Sequence, residues 1–249
     1  MRIMLCGCQG RMGHAVEAAV KDDATIVAGV DAVEGARAFP VYKKPTDCAQ
    51  AVDVVIDFSH PSALAAMLDY AIASGIPAVV CTTGLSAEQT EAVRKAAEQI
   101  PVFFSGNMSI GIGLLCALTK KAAAVLGEDF DIEIIEMHHN QKLDAPSGTA
   151  MMLANAAKKG VAYEPDFIYT RHDRRQKRDK KEIGISAIRG GNIIGEHQVI
   201  FAGADEVVNL THRAQSRALF ATGALRAAKF LLGKPAGLYD MEDLMADIL

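Results

Sequence analysis

No two cysteines in the chain have C-x-x-C spacing. The five that occur, Cys6, Cys8, Cys48, Cys81 and Cys116, form an odd set, several of them inside apolar runs. They read as free thiols of a reducing compartment, and a cytoplasmic protein is expected. Positive charge is also in short supply. With 26 Lys and Arg against 30 Asp and Glu, the formal net charge is -4, which provides no general attraction to nucleic acid or to an anionic membrane surface. Long apolar runs are missing too. The most apolar helical candidate, 110–126, is broken by Lys120 and Lys121, so no segment is expected to span a bilayer. The opening "MRIMLCGCQG" enters a strand at once, without an apolar stretch ending in a small-residue cleavage site, so no secretory signal is expected. Repeats and low-complexity tracts are absent. What remains is a chain of 249 residues, half of them hydrophobic, large enough for one sizeable domain or two small ones. A small soluble molecule is the expected partner.

The first hundred residues alternate β-type runs (2–6, 25–30, 52–58, 78–81, 102–105) with helix-period segments (12–21, 63–74, 87–99). Nearly continuous apolar runs such as "VDVVIDF" suit a parallel sheet covered on both faces, joined by right-handed βαβ crossovers. After a helix over 110–126 the pattern changes. Strand-like runs at 131–137, 182–188, 193–202 and 206–212 follow, with one clear helix at 149–159, and "RGGN" at 189–192 reads as a hairpin turn. The tail 217–232 is helical again and is expected to pack on the first domain. The expected architecture is α/β: a doubly wound parallel sheet from 1–108 completed by 218–249, and a second α+β domain with a mixed sheet from 109–217.

"GCQGRMG" at 7–13 follows the first strand and opens the first helix. Its spacing is G-x-x-G-x-x-G, but the physical roles match those of a dinucleotide turn. Gly7 permits a tight turn, Gly10 lets backbone approach a pyrophosphate, and Gly13 lets helix and strand pack closely. Cys8, Gln9, Arg11 and Met12 belong to the same turn. Asp31 ends the second strand, where such folds place the acid that binds a ribose hydroxyl. Ala32 beside it supplies no cation for a 2′-phosphate, which favours NADH mildly, although Arg11, Lys43 and Lys44 work towards NADPH. "CTTG" (81–84) and "SGNMS" (105–109) stand at strand C-termini, so Cys81, Thr82, Thr83, Ser105, Gly106, Asn107 and Met108 are candidates for a nicotinamide-ribose pocket.

The densest chemistry lies in "EMHHNQKLDAPSGTA", 136–150. Period-2 spacing puts Glu136 and His138 on one strand face and His139 on the other. Lys142 follows, and Pro146-Ser147-Gly148-Thr149 open a helix whose first N–H groups, at Gly148 and Thr149, suit a carboxylate. The set is built to hold an anion and move a proton. No metal site is expected, because His197 and His212 lie far along the chain and no familiar ligand spacing occurs. The basic run "RHDRRQKRDKK" (171–181) reads as a solvated loop rather than a nucleic-acid patch, since it is short and lacks interleaved aromatics.

"GCQGRMG", "TTG", "E-x-H-H-x-x-K-x-D-A-P-S-G-T-A" and the later "RGGNIIGEHQVIFAGADEVVNLTHRAQSRALFATGAL" together resemble the 4-hydroxy-tetrahydrodipicolinate (dihydrodipicolinate) reductase family over essentially the whole chain. The resemblance implies an NAD(P)H-dependent reductase of lysine and diaminopimelate biosynthesis. It would have a Rossmann domain, a substrate domain and a homotetramer joined through the second domain's sheets. By the same resemblance His138 is the general acid and Lys142 its partner in catalysis and carboxylate binding. His139, Gly148 and Thr149 are then substrate contacts, and the residues of 7–12, Asp31, 81–83 and 105–108 cofactor contacts. Cys81 and Ala32 depart from the family's frequent Gly and Arg. The competing readings are another small-substrate NAD(P)-dependent dehydrogenase and a non-catalytic NADH-binding redox sensor. The sensor would need a partner-binding module for which the chain shows no segment.

Overall fold

The computed structural model describes residues 1–248; Leu249, the last residue of the expected 218–249 segment, lies outside the described residues. In chain order the elements run β1 (Arg2–Cys6), α1 (Arg11–Ala19), β2 (Thr25–Val30), β3 (Val41–Tyr42), β4 (Val54–Asp57), α2 (Leu64–Ser74), β5 (Ala78–Val80), α3 (Ala87–Ala97) and β6 (Pro101–Phe104). They continue with α4 (Ile110–Leu126), β7 (Asp131–His138), α5 (Gly148–Gly160), β8 (Asp166–Ile168), β9 (Glu182–Arg189), β10 (Glu196–Ala202) and β11 (Val207–Arg213), and close with α6 (Ala218–Leu231), β12 (Gly237–Tyr239) and α7 (Met241–Ile248). The chain divides into two compact units. One is Met1–Ser109 with the chain from Arg217 onward, and the other is Ile110–Ser216.

The first unit is built on a parallel sheet of order β12-β6-β5-β4-β1-β2-β3. Strand order reverses between β1 and β4, the switch point at which open α/β sheets bind ligands. Alternate residues serve opposite faces. Met4, Cys6, Val55, Val80 and Val102 pack with Leu64, Met67 and Val93 of α2 and α3. On the other side Phe103 meets Phe230 of α6 edge to face, with ring centroids 6.2 Å apart. The short strands β3 and β12 and the helix α7 are additions that the apolar pattern does not reveal. At two or three residues β3 and β12 are too short to show a period, and they exist because a neighbouring edge is available to pair with.

The second unit carries a five-stranded sheet of order β11-β10-β7-β9-β8. α4 and α5 cover one face, where Ile112, Leu115, Leu153 and Ala157 meet Ile132, Ile134, Ile183, Val199 and Phe201. The expected hairpin at 189–192 does not form. β9 pairs parallel with β7, and β10 pairs antiparallel with the other edge of β7. The 190–195 connection therefore crosses the end of β7 instead of folding β10 back on β9. Gly190 N–H donates to His138 O at 2.9 Å and Asn140 N–H to Gly191 O at 3.2 Å. The true hairpin joins β10 and β11.

The basic run is exposed, as a solvated loop would be, but three of its arginines are anchored. Arg171 and Arg174 both pair with the buried Glu182 carboxylate, and Arg178 reaches Asp131, Glu133 and the carbonyls of Ile132 and Glu182. The guanidinium forks fasten the loop to the first residues of β7 and β9.

Candidate active site

β7 explains why the titratable residues gather. Its buried positions alternate as Ile132, Ile134, Glu136 and His138, so the face that supplies core at one end supplies carboxylate and imidazole at the other. Register extends the polar end sideways: Glu136 pairs with His197 of β10, which pairs with His212 of β11, and His138 pairs with Arg189 of β9.

Glu136, 0% exposed, is the hub. Arg189 donates to it through both terminal nitrogens, Nη1 to Oε2 at 2.8 Å and Nη2 to Oε1 at 2.7 Å. The Ser147 N–H donates to Oε1 at 2.9 Å, and His138 Nδ1 lies 2.6 Å from Oε2. Burial pushes the Glu136 carboxyl upward, but the Arg189, His138 and Ser147 hydrogen bonds outweigh it and leave it below its usual range. His138 is lowered too, but here burial prevails over the hydrogen bond. Burial lowers it, and the Lys142 and Arg189 charges lower it further, against the opposing pull of Glu136. His197 stacks edge to face on His138, centroids 5.1 Å apart, and its Nε2 lies 3.1 Å from Ser147 Oγ. Burial first, then the neighbouring His138, takes His197 down to about 4.

Ser147 caps α5, its hydroxyl accepting the Ala150 N–H at 3.2 Å. Gly148 opens the helix on an exposed side, where a Cβ would meet nothing within 4 Å, and Thr149 follows, partly exposed. Lys142 Nζ is held 2.8 Å from Asp144 Oδ1, and Arg189 Nη2 donates to Asp144 O at 2.6 Å. His139, just past the end of β7, is not part of the Glu136 cluster. His197 does lie against His138, despite its distance along the chain. Among the described residues no group of three or more His, Cys, Asp or Glu has a geometry that could hold a metal ion.

Four members of this cluster, Glu136, Ser147, Arg189 and His197, have no role legible in the sequence alone. Alternation along β7 puts Glu136 on the His138 face but gives it no function, and Ser147 carries only the signal of a helix start. Arg189 falls in the expected turn, and His197 lies far from the segment along the chain. The signal for the last two is strand register, which one sequence does not fix.

In the first unit the strand C-termini line up the other candidates. Gly7 has φ +76°, and a Cβ there would overlap Phe58 O, where β4 ends; a Cβ on Gly13 would overlap the Cys8 and Gly7 carbonyls. Both positions need a residue without a side chain for the turn to nest between β1, β4 and α1. Gly10 and Arg11 are exposed at the start of α1 and Met12 is partly exposed. The Cys8 side chain is buried beside Phe39, which leaves its backbone to the turn. Asp31 accepts the Gln9 N–H at 2.9 Å and the Val33 N–H at 3.0 Å and borders a cavity of about 400 Å³ lined also by Arg37, Phe39, Tyr42 and Lys43. Arg37, 5% exposed at its side chain, is a cation near Asp31 that the residues beside Asp31 in sequence do not reveal. It donates to Gln9 Oε1, Glu17, His14 and Cys8 O. Asp57, 0% exposed, accepts from Ser59 and from Thr82 Oγ1 at 2.7 Å, tying the ends of β4 and β5 together. Cys81 is buried and Thr83 exposed. On the adjacent strand Ser105 Oγ donates to Asn107 O, Asn107 Oδ1 accepts the Ser109 N–H, Gly106 is exposed and Met108 buried.

A parallel sheet with a glycine turn at its switch point, accompanied by a unit that holds a histidine on a buried carboxylate, defines a dinucleotide-dependent oxidoreductase. Residues 1–108 match the family described as "Dihydrodipicolinate reductase, N-terminus", and residues 111–245 match "Dihydrodipicolinate reductase, C-terminus". The chain is 48% identical over 247 residues to 4-hydroxy-tetrahydrodipicolinate reductase of Caldanaerobacter subterraneus subsp. tengcongensis, and 46% identical over 247 residues to that of Clostridium novyi, with 98% of each chain covered in both cases. Among solved structures it is similar to dipicolinate-bound dihydrodipicolinate reductase from Paenisporosarcina sp. TG-14, at a TM-score of 0.81 and 25% identity, covering 98% of this chain and 99% of that one. The chain belongs to the dihydrodipicolinate reductase family.

Proposed function

We propose that the chain reduces 4-hydroxy-tetrahydrodipicolinate, by way of dihydrodipicolinate, to tetrahydrodipicolinate with NAD(P)H in lysine and diaminopimelate biosynthesis. The observation that carries the proposal is the buried Glu136–His138 pair beside Lys142 and the α5 N-terminus, all within one 136–150 segment. In this reading the first unit holds the dinucleotide. The 7–12 turn takes the pyrophosphate, Asp31 the adenosine ribose, and the 81–83 and 105–108 strand ends the nicotinamide ribose. The side-chain-free nest at Gly7 and Gly13 and the cavity beside Asp31 fit such a group.

A bound reduced nicotinamide supplies hydride. The remaining requirements fall to the second unit. Loss of water from the substrate gives a conjugated cyclic imine with two carboxylates. Hydride at C4 leaves an electron-rich enamine that needs a proton at C3. Lys142 exchanges Asp144 for a substrate carboxylate, which also meets the first-turn N–H groups of α5 at Gly148 and Thr149, while His139 contacts the substrate. His138 gives the C3 proton. Unliganded, it is held low by burial and by Lys142 and Arg189; an incoming dicarboxylate neutralises those cations and raises it, so that the acid is charged when it is needed.

The test is kinetic. His138→Ala and Lys142→Ala are each expected to lower kcat by on the order of 10², the usual range for acid–base groups, with NADH affinity little changed. Near wild-type kcat in both variants would remove the segment from the chemistry.

The proposal extends to a cytoplasmic homotetramer with a mild preference for NADH. Ala32 leaves Asp31 without an adjacent cation in sequence, and the neighbouring Arg37 is turned to Gln9, His14, Glu17 and the Cys8 carbonyl. The sheet face of the second unit opposite α4 and α5 carries Ile135, Met137 and Ile200, with Val207 exposed at its edge. That is a surface suited to pairing sheets between copies.

A further inference from the structure

We propose that Glu136 and Arg189 form a positioning pair for the proton donor: Glu136 fixes His138 so that Nε2 is the atom that releases the proton, and the Arg189 fork keeps Glu136 an acceptor. The inference rests on His138 being the acid.

An ionised carboxylate only accepts hydrogen bonds. Glu136 is fully buried, and each of its oxygens meets a separate pair of donors: Ser147 N–H and Arg189 Nη2 at Oε1, His138 Nδ1 and Arg189 Nη1 at Oε2. His138 Nδ1 must therefore carry hydrogen in both the neutral and the charged ring. The proton that comes and goes is on Nε2. The surroundings of Nε2 agree with this. A Cβ on Gly195 would stand 3.1 Å from it and 3.4 Å from Cδ2, so Gly195, which lies against the donating edge, has no side chain to block it.

Arg189 makes the arrangement one-directional. A buried carboxylate without a cation takes up a proton, and a protonated Glu136 would donate to Nδ1 and invert the ring's polarity. The same guanidinium also binds the carbonyls of Ile188 and Asp144, so it is locked to β9 and to the loop that carries Lys142. The groups facing the ring are Glu136 on β7, Lys142 with its partner Asp144, Arg189 on β9, and His197 on β10 with His212 behind it. Of these Glu136 raises His138, whereas Lys142 and Arg189 lower it.

Glu136→Gln separates positioning from mere support. With its oxygen kept by Ser147 N–H and Arg189, the amide nitrogen faces Nδ1 and favours the opposite tautomer. The expected result is a fall in kcat of roughly 10²-fold or more, with KM changed less than about three-fold. The basic limb of the kcat profile should also move to lower pH, because the variant loses the group that raises His138. Arg189→Lys keeps the charge without the fork and should lose roughly ten-fold. The decisive readout needs no variant: ¹⁵N shifts of His138 in the unliganded wild-type protein should report the Nδ1–H tautomer when neutral. An Nε2–H tautomer in the wild type, or Glu136→Gln with kcat within about three-fold and an unmoved basic limb, would overturn the proposal. Should His138→Ala retain full kcat while the ¹⁵N shifts show Nδ1–H, the failure is that of His138 as acid, and the positioning role falls with it.

Discussion

Acid should destabilise this fold through His197 before carboxylate protonation begins. The residue is 4% exposed, and burial, with His138 beside it, depresses its folded-state value from 6.5 to about 4. The unfolded chain therefore binds a proton between those values that the folded chain refuses, and unfolding free energy rises with pH across that window. At about 1.4 kcal/mol per pH unit, acidification from pH 7 to pH 4 costs about 3 kcal/mol at this one side chain. His138, also lowered, adds to the cost with the same sign. The comparison is urea unfolding of the wild type and His197→Phe at matched protein concentration, from pH 7 to pH 4.5. The substitution keeps an aromatic ring against His138 and removes the titration. Whatever its effect at pH 7, the variant should lose less stability on acidification, by about 2 kcal/mol over that range. Parallel curves would show that His197 accepts a proton in the folded protein, and the argument from its burial would fail.

The cofactor preference is testable by kcat/KM at matched ionic strength. NADH should win by less than about a hundred-fold, because one lost ribose contact and like charge at Asp31 cost NADPH ~1–3 kcal/mol, partly offset by Arg11, Lys43 and Lys44. Asp31→Ala with Ala32→Arg should reverse the order, and a clear NADPH advantage in the unmodified protein would refute the reading. For the assembly, sedimentation should report a tetramer at micromolar concentration, and Ile200→Glu on the open sheet face should shift it to smaller species; a monomeric wild type would count against sheet pairing.

Where a segment's partners are its own neighbours, the pattern of residues was sufficient. The parallel sheet, its crossing helices and the change of pattern near residue 110 could be read because β-type runs and helix-period runs bury their own faces. The glycine turn is legible because its spacing directly follows the first strand: a Cβ at Gly13 would overlap the Gly7 and Cys8 carbonyls of the turn itself, although the overlap at Gly7 is with Phe58 O, just past β4, which only the pairing of β4 with β1 brings near. The hairpin expected at 189–192 is of another kind. Two glycines after a strand suit a tight turn, but pairing is decided by which edge is vacant. β9 took one edge of β7 in parallel and left β10 only the other.

That one topological fact also decides how much of the site the sequence could reveal. Glu136 and His138 share a face by alternation within a single strand, so their proximity was readable. Arg189 and His197 come from strands that flank β7 on opposite sides, and they meet the same carboxylate cluster only because the 190–195 connection crosses the end of β7. Had the hairpin formed, β10 would lie beside β9, and His197 would no longer stand next to Glu136. His138 would then lose the aromatic wall and Ser147 its second partner. The six-residue connection thus determines the environment of the proton donor as directly as the residues that touch it. Its glycines at 190, 191 and 195 reflect this: one donates to the His138 carbonyl, one adopts φ +49°, and one leaves the edge of the imidazole uncovered.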